Sequence, residues 1–442
     1  MAFSRRKFFT LAGATAAGTL AASPLEGLLA RAAFGQVTRT TTGYGPLIPD
    51  PNPTKFLDLP EGFQYRVISL VGNIMADGNP APGNYDGMAA FPGPRGTTIL
   101  VCNHELTNTS STQIIVPNRY DPVSRGGTTT MVVGRNRELI KQFASLGGTI
   151  RNCAGGPTPW GSWITCEENT SVPDGSDGST QFHGYNFEVP ANANGPVDPV
   201  PLKDMGRFNH EAVAVDPVTG IVYQTEDRGN GCFYRFIPNV PGKLAEGGSL
   251  QALRIGTISV NTGGSDLTVG QKWSVDWVDI ENPDPATDTV REEGRNAGAA
   301  TFARGEGIWY DGRGDFYFCC TSGGPGGLGQ VFRYTPATET LELFVQSPSA
   351  DALRAPDNIV VAPFGDLILC EDKGISGSST ERQRLIGVTP QGELYEFARN
   401  AFGNGRSEFA GACFSPDGQT MFVNIYSGVT LAIWGPWNAK RA

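Results

Sequence analysis

Between Asp86 and Asn424 the chain repeats one unit six times, and each copy carries an acid or another metal-competent residue near both ends. The clearest copy runs Asp357-Asn-Ile-Val-Val-Ala-Pro-Phe-Gly-Asp-Leu-Ile-Leu-Cys-Glu-Asp372, two apolar strand-like runs around a Pro/Gly turn. The other copies begin near Asp86, Asn152, Glu211, Glu306 and Glu408, and close near Glu105, Glu167, Glu226, Thr321 and Asn424. Four of the six intervals are 15 residues (152 to 167, 211 to 226, 306 to 321, 357 to 372), and the others are 16 and 19. Charges that only solvate a surface have no reason to keep such a register.

A period of this size with several short strands per copy reads as a β-propeller. The fifth copy shows four strands, near 358–363, 366–371, 384–389 and 393–397, and the fourth copy matches it through 329–334 and 341–344. The sixth copy ends after three strands near Ile433, while the strand Phe63-Gln-Tyr-Arg-Val-Ile68 stands unassigned near the N-terminus. Pairing the two closes the ring and removes an exposed edge. The chain therefore reads as all-β, a six-bladed propeller over 59–438 whose N-terminal strand closes the last blade. Glycine (58) and proline (32) spread along the 442 residues agree with frequent turns. Residues 36–58 read as an extended arm, and 239–300 as an insertion after the third copy whose polar stretch, Asp279 to Asn296, caps one face.

Residues 1–35 read as a targeting segment: Ser4-Arg5-Arg6-Lys7-Phe8-Phe9 is a twin-arginine pattern before an Ala/Gly-rich apolar run too interrupted to span a membrane. The expected partner there is the twin-arginine export machinery, and the expected location periplasmic or secreted, as a monomer without a stable membrane anchor. A net charge of −10 argues against nucleic acid as partner, because that needs a basic face. Cys102, Cys166, Cys319, Cys320 and Cys370 fall at or near the ends of second strands, where free thiols pack between blades. Cys153 instead heads a copy, where other copies carry acids.

In a propeller the innermost strand of each blade lines the axis, so the repeated acids converge. Capping of turns accounts for any single acid; the set Glu105, Glu167, Glu211, Glu226, Glu306, Asp357, Glu371 and Glu408 points to polyvalent cations. Hard oxygen donors suit Ca²⁺, Mg²⁺ or Mn²⁺. The three histidines (His104, His183, His210) form no zinc-like spacing. His104 and His210 each precede a site acid, which places them on the opposite strand face, in orienting roles. A thiolate among carboxylates can hold iron, with Cys153 the first candidate and Cys166 the second.

Four motifs carry a resemblance: Asn152-Cys153-Ala-Gly-Gly-Pro-Thr-Pro-Trp160 through Cys166-Glu167-Glu168-Asn169, Met205-Gly-Arg207-Phe-Asn-His210-Glu211, Phe302-Ala-Arg304-Gly-Glu306, and Phe414-Ser-Pro-Asp417 through Asn424. Together they resemble the PhoX-type alkaline phosphatases, over about residue 55 to Trp437. The resemblance implies a six-bladed propeller holding two irons and calcium ions (Fe³⁺ and Ca²⁺), a periplasmic or secreted site, and small phosphomonoesters as substrates hydrolysed with a metal-activated oxygen as nucleophile. It implies Cys153, Glu105, Glu167, Glu211, Glu306 and Asp357 as ligands, to which the repeat adds Glu371 and Glu408. Arg304 and Arg207, each close to an expected ligand, are candidates to grip phosphoryl oxygens bidentately, although an arginine in a propeller strand is more often a surface ion-pair partner. The chain is shorter than the best-known members and belongs with a compact branch.

Two other readings stay open at this level. Six-bladed propellers with one axial calcium also act as lactonases or esterases, and a propeller can use calcium only to hold its blades together. The chain contains no Gly-x-Ser-x-Gly elbow or nucleotide-binding fingerprint in a convincing context, which disfavours nucleotide-cofactor enzymes.

Overall fold

Apolar runs of five to eight residues, punctuated by glycine and proline, fold here into strands that can bury both faces only by stacking sheet on sheet. The structure is a computed structural model that describes residues 43–439 except 257–260, 265–266 and 376–378. The twin-arginine segment lies outside the described residues. Six antiparallel sheets follow one another around an axis, a six-bladed β-propeller. The inner strands are Tyr85–Pro92, Asn152–Pro157, His210–Val215, Gly305–Tyr310, Pro356–Val361 and Phe409–Phe414, for blades 1 to 6.

Blade 6 is completed by the N-terminal strand Gln64–Leu70, which pairs antiparallel with Val429–Trp434 from Val429↔Leu70 to Trp434↔Gln64. The expected closure is therefore present, and it ties both ends of the propeller into one sheet. The preceding arm adds Leu57–Pro60 to the outer strand of blade 5, with Leu47–Ile48 outside it. Tyr44 packs edge-on against Phe63 at 4.9 Å and donates its hydroxyl to the Trp437 carbonyl at 2.9 Å, which joins the two ends again.

Blade 2 has three strands, and its outer edge is met by a bridge from Pro201 to Phe187. The 239–300 stretch supplies the fourth strand of blade 3, Gly248–Arg254. It then adds Lys272–Ser274 to the edge of blade 4 and Asp276–Asp279 to the edge of blade 3, strapping the two together. Its helix, Val290–Asn296, sends Arg291 to the buried Glu226 of blade 3 at 3.1 Å. Among the described residues no helix is long and apolar enough to cross a membrane.

Large aromatics fill the gaps between blades: Phe233 of blade 3 stacks on Phe318 of blade 4 with centroids 4.4 Å apart. Cys102, Cys166, Cys319, Cys320 and Cys370 are buried free thiols in these interfaces. Near the axis the interior is different. Gly87, Ala154, Ala212, Gly307, Asn358 and Gly411 surround a cavity of about 20 Å³, room for about one water. A Cβ on Gly87 would meet Ala154 Cα at 2.6 Å, so the small residues are what let neighbouring inner strands approach. Trp309 lines this cavity and packs against the apolar clusters joining blades 1 and 2, 6 and 1, and 5 and 6.

Candidate metal centre

Every inner strand carries a β-bulge near its start, with shifts at Tyr85/Met88, Asn152/Gly155, His210/Val213, Gly305/Ile308, Pro356/Ile359 and Ala410/Cys413. A bulge inserts an unpaired residue and re-aims the side chains beside it. One hydrogen bond recurs just above each bulge: the amides of Glu105, Glu168, Asp227, Thr321, Asp372 and Tyr426 donate to the carbonyls of Asn84, Arg151, Asn209, Arg304, Ala355 and Glu408. These six bonds set the true register. The strand-entry positions are Asn84, Arg151, Asn209, Arg304, Ala355 and Glu408. Two residues on, the axial positions hold Asp86, Cys153, Glu211, Glu306, Asp357 and Ala410. The closing positions are the six amide donors.

Neighbouring blades clamp these bulges. Asn424 donates to the Asp86 carbonyl at 2.5 Å, Asn103 to Ala154 at 2.7 Å, Thr225 to Glu306 at 2.6 Å and Thr321 to Pro356 at 2.7 Å. Asn358 accepts from the Gly411 amide at 2.8 Å. At the remaining junction, the Cys153 thiol faces the His210 carbonyl at 3.4 Å.

Three groups of donors result, each with its donor atoms within 4.8 Å of one another: Cys153, Glu168 and Glu211; Glu211, Glu306 and Asp357; Asp357, Asp372 and Glu408. Glu211 and Asp357 each belong to two groups, so the three form one continuous arc over blades 2 to 6. Asp86 extends it: burial above all, then Glu105, Glu408 and Asp357, holds its carboxyl well above the usual range. Burial, then neighbouring carboxylates, raises Glu211, Glu306 and Glu408 in the same way, and Asp357 to about 7. Glu168 is raised by burial although Arg151 opposes the shift, and burial raises the Cys153 thiol, with Glu211 next.

Of the residues expected from sequence, Cys153, Glu211, Glu306, Asp357 and Glu408 come together here. Glu105 stands at the edge, held by Arg151 at 2.8 Å and by the Tyr426 hydroxyl at 2.6 Å. Glu167 and Glu371 are not brought to the arc. Glu167 accepts from the Ile150 and Gly184 amides at 3.0 and 2.9 Å and lies 2.7 Å from His183 Nδ1. Glu371 is bound by Arg384 through two 2.6 Å contacts, with Lys373 at 3.0 Å. Consecutive strand residues face opposite sides, and in Glu167-Glu168 and Glu371-Asp372 the second acid faces the axis.

Arg304 reaches the arc. It grips Asp227 through Nε at 2.8 Å and Nη2 at 3.1 Å, and lies 2.7 Å from Glu306. Arg207 does not: it is fully buried, and its guanidinium donates to the carbonyls of Thr170, Ser171 and Pro285 at 2.6, 2.9 and 3.2 Å. It staples the loop after the second strand of blade 2 to the 239–300 stretch. The sequence marked Asp86 and Asp372 only as ends of copies, not as ligands, and left Glu168, Asp227, Arg151 and Tyr426 out of the site. The paired acids of blades 2, 3 and 5 were the visible signal for three of them.

Eight carboxylates (Asp86, Glu168, Glu211, Asp227, Glu306, Asp357, Asp372, Glu408) and one thiol meet on the axis against two arginines. That excess of oxygen donors, several buried and raised by one another, fits polyvalent cations. The family model described as alkaline phosphatase PhoX matches residues 42–428. The chain belongs to the PhoX alkaline phosphatase family. The Pseudomonas fluorescens PhoX structure, in complex with vanadate, a transition state analogue, superposes with a TM-score of 0.67 at 18% identity, covering 90% of this chain and 98% of that one. That likeness establishes the PhoX propeller fold. A Dyadobacter fermentans protein of unknown function reaches a TM-score of 0.46 at 10% identity over 85% of this chain and 100% of its own. The XC5397 gluconolactonase of Xanthomonas campestris reaches 0.42 at 11% identity over 89% and 99%. No curated protein matches the chain.

Proposed function

We propose that this chain is an exported, metal-dependent phosphatase that hydrolyses small phosphomonoesters at the axial arc, with Ca²⁺ and Fe³⁺ as its cations. The observation that carries the reading is the arc itself: three donor groups sharing Glu211 and Asp357, with a thiol at one end only. A lactonase-like centre with a single calcium has no use for three. Cys153, Glu168 and Glu211 would hold the cation best suited to iron, because they include the one soft donor. Glu211, Glu306 and Asp357, then Asp357, Asp372 and Glu408, would hold the others. Bound there, such ions supply Lewis acidity and positive charge at the phosphoryl group.

The chain's own residues do the rest. Arg304 presents a guanidinium pinned by Asp227 and Glu306, whose side chain stays 39% exposed, and it orients non-bridging phosphoryl oxygens. Thr321 closes blade 4 where blades 1, 2, 3 and 5 close with acids, which leaves that blade with a single carboxylate, Glu306, beside Arg304.

The test is turnover of p-nitrophenyl phosphate by protein purified through its own export route, with elemental analysis of the same sample. We expect calcium, iron and turnover that falls on chelation. Protein without iron, and with no chelator-sensitive turnover of the phosphoester, would refute the reading. Lactone hydrolysis with calcium alone would replace it.

A further inference from the structure

Arg304 has a counterpart two blades away. Arg151 occupies the strand-entry position of blade 2, as Arg304 does in blade 4, and both adopt the left-handed backbone, with φ of 47° and 55°. That conformation is costly for a residue with a Cβ, and Asn84 and Ala355 share it at the same position, so the fold imposes it. The carbonyls of both arginines accept the amide of their own blade's closing residue, at 2.9 and 3.0 Å.

The side chains match as well. Each guanidinium bridges a carboxylate of the preceding blade and one of its own. Arg151 takes Glu105 at 2.8 Å and Glu168 at 2.5 Å; Arg304 takes Asp227 at 2.8 Å and Glu306 at 2.7 Å. Both use Nε and Nη2 for this. Neither Nη1 makes a hydrogen bond to any described residue, and the side chains keep 35% and 39% exposure. Between them stands blade 3, whose Glu211 belongs to the donor groups on either side.

From this pairing we infer that Arg151 is a second phosphoryl-binding residue, reaching the substrate from the blade 2 side of Glu211 as Arg304 does from the blade 4 side. The inference rests on the phosphatase reading of the same arc. A phosphomonoester dianion offers three non-bridging oxygens, enough to accept from the free Nη1 of both arginines. Each guanidinium is held in place beforehand by carboxylates, so little side-chain entropy is lost on binding. Glu105, itself held by Tyr426, acts here as the brace for Arg151.

The experiment compares wild type, Arg151→Lys, Arg151→Ala and Arg304→Lys, all metal-replete, for calorimetric binding of inorganic phosphate. Metal content and p-nitrophenyl phosphate kinetics are measured alongside. Arg151→Lys keeps the charge and loses the braced guanidinium with its free Nη1. It should keep the wild-type metal content yet bind phosphate about tenfold or more weakly, since tenfold corresponds to about one charge-assisted contact. KM should rise in parallel, and Arg304→Lys should behave alike. Wild-type phosphate affinity in Arg151→Lys would overturn the inference. So would loss of metal in step with phosphate, which would make Arg151 a support for Glu168 only. Should Arg151→Ala fail to fold, the lysine variant still decides. A wild type that turns over no phosphomonoester defeats the functional reading, a result distinct from normal turnover with Arg151 dispensable.

Discussion

Glu167 and Glu168 are adjacent and chemically alike, yet the first is enclosed by His183 and backbone amides while the second faces Cys153 and Glu211. Glu167→Gln should therefore leave metal content unchanged and cost about 3 kcal/mol or more, as breaking a buried ionic contact does. Glu168→Gln should lose metal with little loss of fold. Plasma mass spectrometry and thermal unfolding of the two variants check this, and the reverse pattern would refute the register. The pH dependence follows from the same carboxylates. Burial and mutual repulsion raise Asp86, Glu211, Glu306 and Glu408, and push Asp357 up to about 7. Between the unfolded and folded values only the folded state holds the proton, so stability falls as pH rises through that window. His183, raised by Glu167 and Asp121 against the opposing effect of burial, adds a loss of the same sign. Chelated protein should melt at a higher temperature at pH 5 than at pH 8, and bound cations should flatten or reverse the trend. A chelated protein more stable at pH 8 would contradict it.

At the scale of the element, the six bulges and the clamps between blades decide where side chains point. Gly411 shows how little room they leave: its φ is 59°, and an added Cβ would meet the Asp86 carbonyl oxygen at 2.4 Å. Gly411→Ala should destabilise the protein by more than about 1 kcal/mol and lower cation affinity through Asp86; unchanged melting and metal content would show that the bulge yields freely. This is also the scale at which the sequence was least legible. Alternating apolar runs marked the strands of blade 5 near 358–363 and 384–389, close to the observed Pro356–Val361 and Arg384–Val388. A bulge leaves no such mark, because its extra residue follows from backbone pairing rather than residue type. The spacing therefore ended the fifth copy on Asp372, the acid that faces the axis, but stopped one residue short at Glu167 and Glu226, beside Glu168 and Asp227. Arg207 looked like a ligand-gripping residue because it lies near His210-Glu211, and only the packed loops show that carbonyls use its guanidinium.

At the scale of the molecule, the ring and its closure were legible. Six copies with a missing last strand and a spare N-terminal strand admit few other arrangements, and Gln64–Leu70 fills that place. The strap of Lys272–Ser274 and Asp276–Asp279 across blades 3 and 4 was not legible, since short polar strands in an insertion look like loop. Closure makes the N-terminal strand integral to the fold. Val67→Pro removes a pairing with Leu431 and should lower the melting temperature of the whole propeller in one transition. A separate early transition would show that blade 6 opens alone. The proposed function requires the axial acids to act as one polyvalent cation centre. Anomalous diffraction from crystals of the exported protein, collected above and below the iron edge, tests it most directly. An iron peak is expected within bonding distance of Cys153 and Glu211, with further cation density between Glu306, Asp357, Asp372 and Glu408. An axis free of bound ions, with the same carboxylates paired to one another through protons, would contradict it.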